Sequence, residues 1–290
     1  MPPTVTELRK KARERAALLR KSEKGLLDKA NALQRRLHAY VVNYFLPSLE
    51  VNPDNTIKNT NVNLKKANKA TGLKRFIKKV VNVAMFDYYD QQFKKLTNKT
   101  VDYFEPFKPT EAAQKRILNR GETLTEGFLN DLFDNNQIAN DIQDTIKKAI
   151  VSNRNQTQLK KVLTEQIKGK ENKFGLLENY HYRNGTDELQ AYTRELDQNF
   201  STEAGLNYAI YAGGEIQTTR KFCSDRVGQV FNRETILKWN TTPQDWSGRK
   251  ENNDILTDLG GYNCRHNLDW ISYELAKRIN PNIEKSKYDN

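Results

Sequence analysis

Between residues 4 and 46 the side chains Leu8, Ala12, Ala16, Leu19, Leu26, Ala30, Leu33, Leu37 and Tyr40 return at intervals of three, four and seven. That period fits an α-helix and not a strand, because positions three and four apart share a helical face whereas strand side chains alternate. The spacing predicts one long helix over 4–46, with Thr6 as its cap and Pro47 as its end. Its apolar stripe is narrow and the rest is charged, as expected of a helix laid against a partner or wound into a coiled coil.

The same period governs most of the chain as far as residue 211. Residues 47–66, rich in Asn, Pro and Thr, read as a linker or arm. A second helix is predicted from Thr71 to about Leu96, with Phe76, Val80, Val83, Ala84 and Tyr88 on one side. The neighbouring Phe86, Tyr88, Tyr89 and Phe93 read as a packing face. Pro106 and Pro109 bracket a break, and Thr110–Glu111 opens a run of helices over 110–118, 123–135, 137–151, 155–168 and 186–211. Joints fall at Gly121, Asn153, Gly169 and Asn184–Gly185. There is no Gly-rich phosphate loop and no repeat of constant period.

Charge narrows the choice of partners. The chain of 290 residues carries a net charge of +12, and 37% of its residues are hydrophobic. That apolar share is below the usual roughly 45–50% and argues for solvated helices around a modest core. Residues 9–36 hold eleven basic and three acidic side chains, and residues 65–79 add seven basic ones and no acid. A polyanion or an acidic protein surface is the expected partner. Arg9, Lys10, Lys11, Arg13, Arg15, Arg20, Lys21, Arg35, Arg36, Lys74, Arg75, Lys78 and Lys79 are the candidate nucleic-acid contacts. The bland alternative is a helix face kept soluble by Lys and Arg. No apolar run approaches the ~18 residues of a membrane span, so no membrane partner is expected. Two cysteines make no secreted disulfide framework, and synthesis in a cytoplasm is expected.

The pattern changes near Gly213–Gly214. Residues 215–219 (EIQTT) alternate like a strand, and FCSDRVGQVF reads as strand-turn-strand with Gly228 at the bend. Asn232 is placed to cap a brief helix, RETILKW. NCRHNLDWI reads as a buried strand and SYELAKRI as a closing helix. The implied fold class is mainly α: an elongated helical N-terminal region with a small C-terminal α+β module. The expected parts are a basic helix (1–46), a linker (47–66), a helical domain (67–212) and the module (213–290).

Residues 211–270 hold both cysteines, all three tryptophans and one of three histidines. The helix ELDQNFSTEAGLNYAIYAGG, the segment TTRKFCSDRVGQVF, a Trp-bearing loop and the terminal GGYNCRHNL resemble the C-terminal domain of the phage head morphogenesis family, the minor head proteins typified by protein F of phage Mu. The likeness covers residues 110–275 in layout and 205–270 in motifs. The family's C-x-x-C has its second position at Arg226 here, Gly261–Tyr262 replace a His-Pro pair, and His266 stands where the last cysteine would be.

The resemblance implies an internal virion component made in the host cytoplasm and packaged in the capsid near the portal. Its partners would be portal protein, major capsid or scaffold protein, and packaged double-stranded DNA. Such a protein would more readily be non-enzymatic than an enzyme.

Two chemistries are open to the residues themselves. Cys223, Cys264 and His266, with Asp225 as a conceivable fourth, are ligand types for zinc, and Cys264 and His266 would share one face of a strand. Alternatively the cysteines are small buried hydrophobes, or they form a disulfide with each other. Arg220, Asp225, Arg226, Arg265 and His266 could instead form the cleft of a phage-borne nuclease-like or effector enzyme, with a general base and cations suited to phosphodiester chemistry. Trp239, Trp246 and Trp270 read as the core of the module rather than as a stacking platform for bases.

Overall fold

The computed structural model describes residues 3–133, 137–240 and 254–289. It is mainly helical with a small α+β module at the C-terminal end, as the periodicity implies. Among the described residues no helix is long and apolar enough to cross a membrane.

Helix α1 runs from Val5 to Tyr40 and passes into a wider π-type turn, Val41–Phe45, before the turn holding Pro47. Its cap is Thr4, not Thr6. Thr4 Oγ1 accepts from Glu7 N at 3.2 Å while Glu7 returns a carboxylate to Thr4 N, so each orphan amide is satisfied by the other residue. Helices α2 (Asn61–Lys69) and α3 (Thr71–Phe76) meet at Ala70, which adopts φ +34°. A π-type stretch joins α3 to α4 (Val83–Phe104). Helix α5 (Glu111–Phe133) opens with Thr110 Oγ1 accepting from Ala113 N and continues through Gly121, where the sequence predicts a joint. Glycine in a helix costs about 1 kcal/mol relative to alanine, too little to stop a helix held by its apolar face.

Helices α6 (Gln137–Val151) and α7 (Gln156–Lys168) occupy the predicted spans, and Asn155 caps α7. A short hairpin of β1 (Gly169–Lys170) and β2 (Lys173–Phe174) precedes α8 (Leu176–Arg183), none of which the helical reading anticipates. After α9 (Gly185–Glu203) come β3 (Tyr208–Ala212), α10 (Lys221–Ser224), β4 (Val230–Asn232) and α11 (Arg233–Lys238). The chain then forms α12 (Ile255–Asp258), β5 (Asn267–Ile271) and α13 (Tyr273–Ile279).

These elements group into two compact units that cut across the four expected parts. One comprises Met1–Ser22, Gln92–Phe128 and Thr186–Asn290; the other comprises Glu23–Gln91 and Leu129–Gly185.

In the second unit Leu26, Ala30, Leu33, Leu37 and Val41 are buried on α1, and Ile138, Ile142, Ile146 and Ile150 on α6. Residues 47–66 are not a linker. Val51 pairs with Ile57, Thr56 with Asn155, and the fully buried Asn63 accepts from Glu50 N while donating to the carbonyls of Glu50 and Lys58. One amide thus satisfies the backbone of a folded-back loop, which composition alone cannot reveal. Buried Gln34 plays a similar part: its Oε1 accepts from Leu177 N at 3.1 Å and Glu178 N at 3.3 Å at the start of α8.

The first unit is built on a three-stranded antiparallel sheet in the order β4-β3-β5. Tyr208 faces Asn232 on one side and Ile271 on the other, and Ala212 pairs with Asn267. Its packed helices supply Phe93 against Tyr192 at 4.2 Å and Phe104 stacked on Phe200 at 4.9 Å. Two strand expectations are corrected. Residues 215–219 form no strand, 215–218 being exposed, and β3 lies in 208–212, where the predicted helix 186–211 would continue. The run YAIYA is apolar throughout and fits a central strand covered on both faces. Helix α9 stops at Ala204–Gly205, where Gly205 takes φ +64° and Leu206 N donates to Ser201 O.

Candidate metal centre

The C-terminal module brings three ligand types to one buried point. Cys223 comes from α10, a single helical turn in place of the expected strand, while Cys264 and His266 lie in the loop leading into β5. Cys223 Sγ and Cys264 Sγ are 4.0 Å apart, and Cys264 Sγ is 3.6 Å from His266 Nδ1. One ligand atom from each of the three residues lies within 4.8 Å of the other two, and all three side chains are buried. Both cysteines are free thiols, so the disulfide alternative is not what the fold holds.

Two residues crowd this point from directions the sequence does not announce. Tyr211, on the central strand β3, donates its hydroxyl to Cys223 Sγ at 3.3 Å, and its ring stacks on the His266 imidazole at 5.3 Å. Gly260 passes so close that a Cβ there would stand 2.6 Å from Cys223 Sγ and 2.9 Å from Cys264 Sγ. Any side chain at this position would displace the sulfurs.

A buried cation frames the cluster. Arg194 on α9 donates from Nη2 to the carbonyls of Cys264 and His266, both at 2.8 Å, and from Nη1 to Thr257 O at 3.0 Å. One planar fork thereby fixes the loop that carries two of the three ligand types. The Cys264 thiol is held well below the ordinary thiol range by the hydrogen bond from Cys223, against the effect of burial and with help from the Arg194 charge and His266. Burial drives the Tyr211 hydroxyl far above the ordinary phenol range. Among the described residues His266 Nε2 is buried without a hydrogen-bond partner, and Nδ1 faces Cys264 Sγ.

Asp225 is not part of the cluster. Its carboxylate is half exposed and paired with Lys221 Nζ at 2.8 Å, one helical turn away. The other residues proposed for a catalytic cleft are likewise bound elsewhere. Arg220 donates to Tyr262 O at 2.7 Å, and Arg265 holds Asp187 and Thr186, each at 3.0 Å. Arg226 lies over the rings of Phe222 at 4.0 Å and Trp239 at 4.7 Å. His266 is buried behind Tyr211 and Gly213. Each of the four candidates Arg220, Asp225, Arg265 and His266 is thus either engaged by a structural partner or buried.

Trp239 and Trp270 are core residues, as expected, and Trp246 lies outside the described residues. Phe231 and Phe222 meet Trp239 edge to face at 4.9 and 5.7 Å, which walls the cluster with apolar rings.

Of the basic candidates, Arg9, Lys10, Arg13, Arg20, Lys21, Arg35, Arg36, Lys74, Arg75, Lys78 and Lys79 are exposed. Arg15 is not a surface contact: it is 2% exposed and bonded to Asp197 and Asp269. Lys11 is half-buried and donates to Asp102 O and Glu105 Oε2. Charge alone assigns both to the surface, and burial withdraws them from it.

Sequence reasoning missed Tyr211, Arg194 and Gly260. The only signal for Tyr211 is its place just before a Gly-Gly turn. The burial of Arg194 on α9 is marked by its four-residue spacing from Gln190 and three-residue spacing from Asp197, both buried polar residues. Comparison with known proteins brings no match: no family model, no curated protein and no solved structure matches this chain.

Proposed function

We propose that the protein is a minor head protein of a tailed phage, an internal virion component that docks on portal protein or on major capsid or scaffold protein. In this reading it contacts packaged double-stranded DNA through its basic helices, inside the capsid near the portal vertex, after assembly in the host cytoplasm. The observation that carries the DNA-facing half is a face of α1. Arg9, Lys10, Arg13, Arg20 and Lys21 are all exposed and fall within about a third of the helix circumference. Lys and Arg in such an array neutralise successive phosphates and release counterions, without reading base edges. The sequence motifs over residues 205–270 support the lineage.

The test has two arms. Binding of random-sequence duplex should fall steeply and linearly in log K against log salt, with no preference among sequences. Portal and capsid proteins encoded beside this gene should co-elute with the purified protein. Failure of both arms removes the reading, and metal-dependent cleavage of the duplex would replace it with the effector alternative.

A further inference from the structure

We propose that Cys223, Cys264, His266 and Tyr211 together bind one zinc-class divalent cation in a closed four-ligand site, with the Tyr211 oxygen at the fourth vertex. The argument is one of edge lengths. A tetrahedral ion bound at about 2.3 Å to sulfur and about 2.0 Å to nitrogen or oxygen holds two sulfurs about 3.8 Å apart. It holds sulfur and a lighter ligand atom about 3.5 Å apart. The corresponding separations here are 4.0 Å between the sulfurs, 3.6 Å from Cys264 Sγ to His266 Nδ1 and 3.3 Å from Cys223 Sγ to the Tyr211 hydroxyl. Three of the six edges of one tetrahedron are thus at length, and Cys223 and His266 place ligand atoms within 4.8 Å of each other.

Those contacts are poor substitutes for coordination. Thiol hydrogen bonds are weak, so little is given up when an ion replaces them. Gly260 keeps the room between the sulfurs free of side-chain atoms, since a Cβ there would stand within 3 Å of both. Two thiolates with a nitrogen and an oxygen suit zinc or cobalt, whereas magnesium and calcium prefer oxygen alone. Charge also balances. Two thiolates and one phenolate around a dication leave one negative charge, opposite the buried Arg194 guanidinium that grips the same loop. Filling the site releases to solvent whatever protons the ligands still hold, so affinity rises with pH.

The full-length protein, stripped with a chelator, is titrated with Co2+ and followed by absorption. The expected result is one ion per chain, the strong visible bands of tetrahedral cobalt, thiolate-to-cobalt charge transfer, and an ultraviolet difference band of one ionised tyrosine. Zinc should displace the cobalt. Tyr211→Phe should keep the thiolate bands, lose the tyrosinate band and weaken binding by about tenfold or more, the scale that even an outer-shell partner commands. No stoichiometric cobalt in the folded protein overturns the site. Cobalt without a tyrosinate band in the wild-type protein overturns the fourth ligand, and that measurement does not depend on the variant folding. The readout involves neither DNA nor portal protein, so it can fail while the head-protein reading stands.

Discussion

Arg15 Nη2 donates to Asp269 Oδ1 at 2.9 Å, so a residue of the first helix closes a bond on the last strand. The same guanidinium reaches Asp197 on α9 and lies 4.6 Å over the Tyr103 ring, whose hydroxyl donates to Trp270 O. Removing Arg15 would take the hydrogen-bonded cation from a buried carboxyl group, Asp197, and from a half-buried one, Asp269. Arg15→Ala is therefore expected to destabilise the protein by about 3–5 kcal/mol, read from the midpoint of denaturant unfolding. A surface variant such as Arg13→Ala should change it little.

One arginine between two carboxylates also sets a pH dependence. Burial pushes Asp197 up to about 7 and raises Asp269 as well, against the pull of Arg15. The unfolded chain holds the same proton with a pKa of about 3.9. Stability from Asp197 is thus complete below that value and is lost as pH rises toward about 7. Melting temperature measured across this range should fall with pH, and Asp197→Asn should flatten the slope.

His181 acts in the opposite sense. It is buried, its Nδ1 lies 3.1 Å from the Tyr89 hydroxyl, and burial lowers its pKa to about 3. The unfolded imidazole titrates near about 6.5, so its stabilising effect is present above that pH and drains away as pH falls toward about 3. Hydrogen exchange should show amides of Glu23–Gln91 and Leu129–Gly185 opening first in acid, and His181→Gln should delay this.

Gly260→Ala tests the cluster without touching a ligand. The added methyl would meet both sulfurs at under 3 Å. A loss of about 1–3 kcal/mol in unfolding free energy is expected, together with loss of the cobalt spectrum. Retention of both would mean that the loop moves freely.

Neutralising Arg9, Lys10, Arg13, Arg20 and Lys21 should lower the salt slope of DNA binding by about 0.9 for each phosphate that no longer meets a cation. Since Arg15 faces inward, its replacement should leave that slope unchanged in protein that still folds.

How much of this was legible in the sequence differs from element to element. Helix α6 was readable to its ends because four isoleucines at four-residue spacing leave one choice of buried face. Strand β3 was not, because an apolar run of five residues fits a strand or a helix continuation equally well. Arg15 shows a subtler failure. It stands seven residues after Leu8 and four before Leu19, both buried, so its position on the inward stripe was in the spacing and its charge drew the reading outward.

The amino-acid sequence by itself determined most of the long helices, the cap at Asn232 and the basic surface, because each depends on residues within a turn or two of one another. It also named Cys223, Cys264 and His266 as a group. Only the tertiary structure decided that Tyr211 and Gly260 join them, that Asp225 does not, and that Arg194 holds the loop. Those are meetings between a strand, two helices and a loop, up to 72 positions apart where Arg194 grips His266, and no local period encodes such distances.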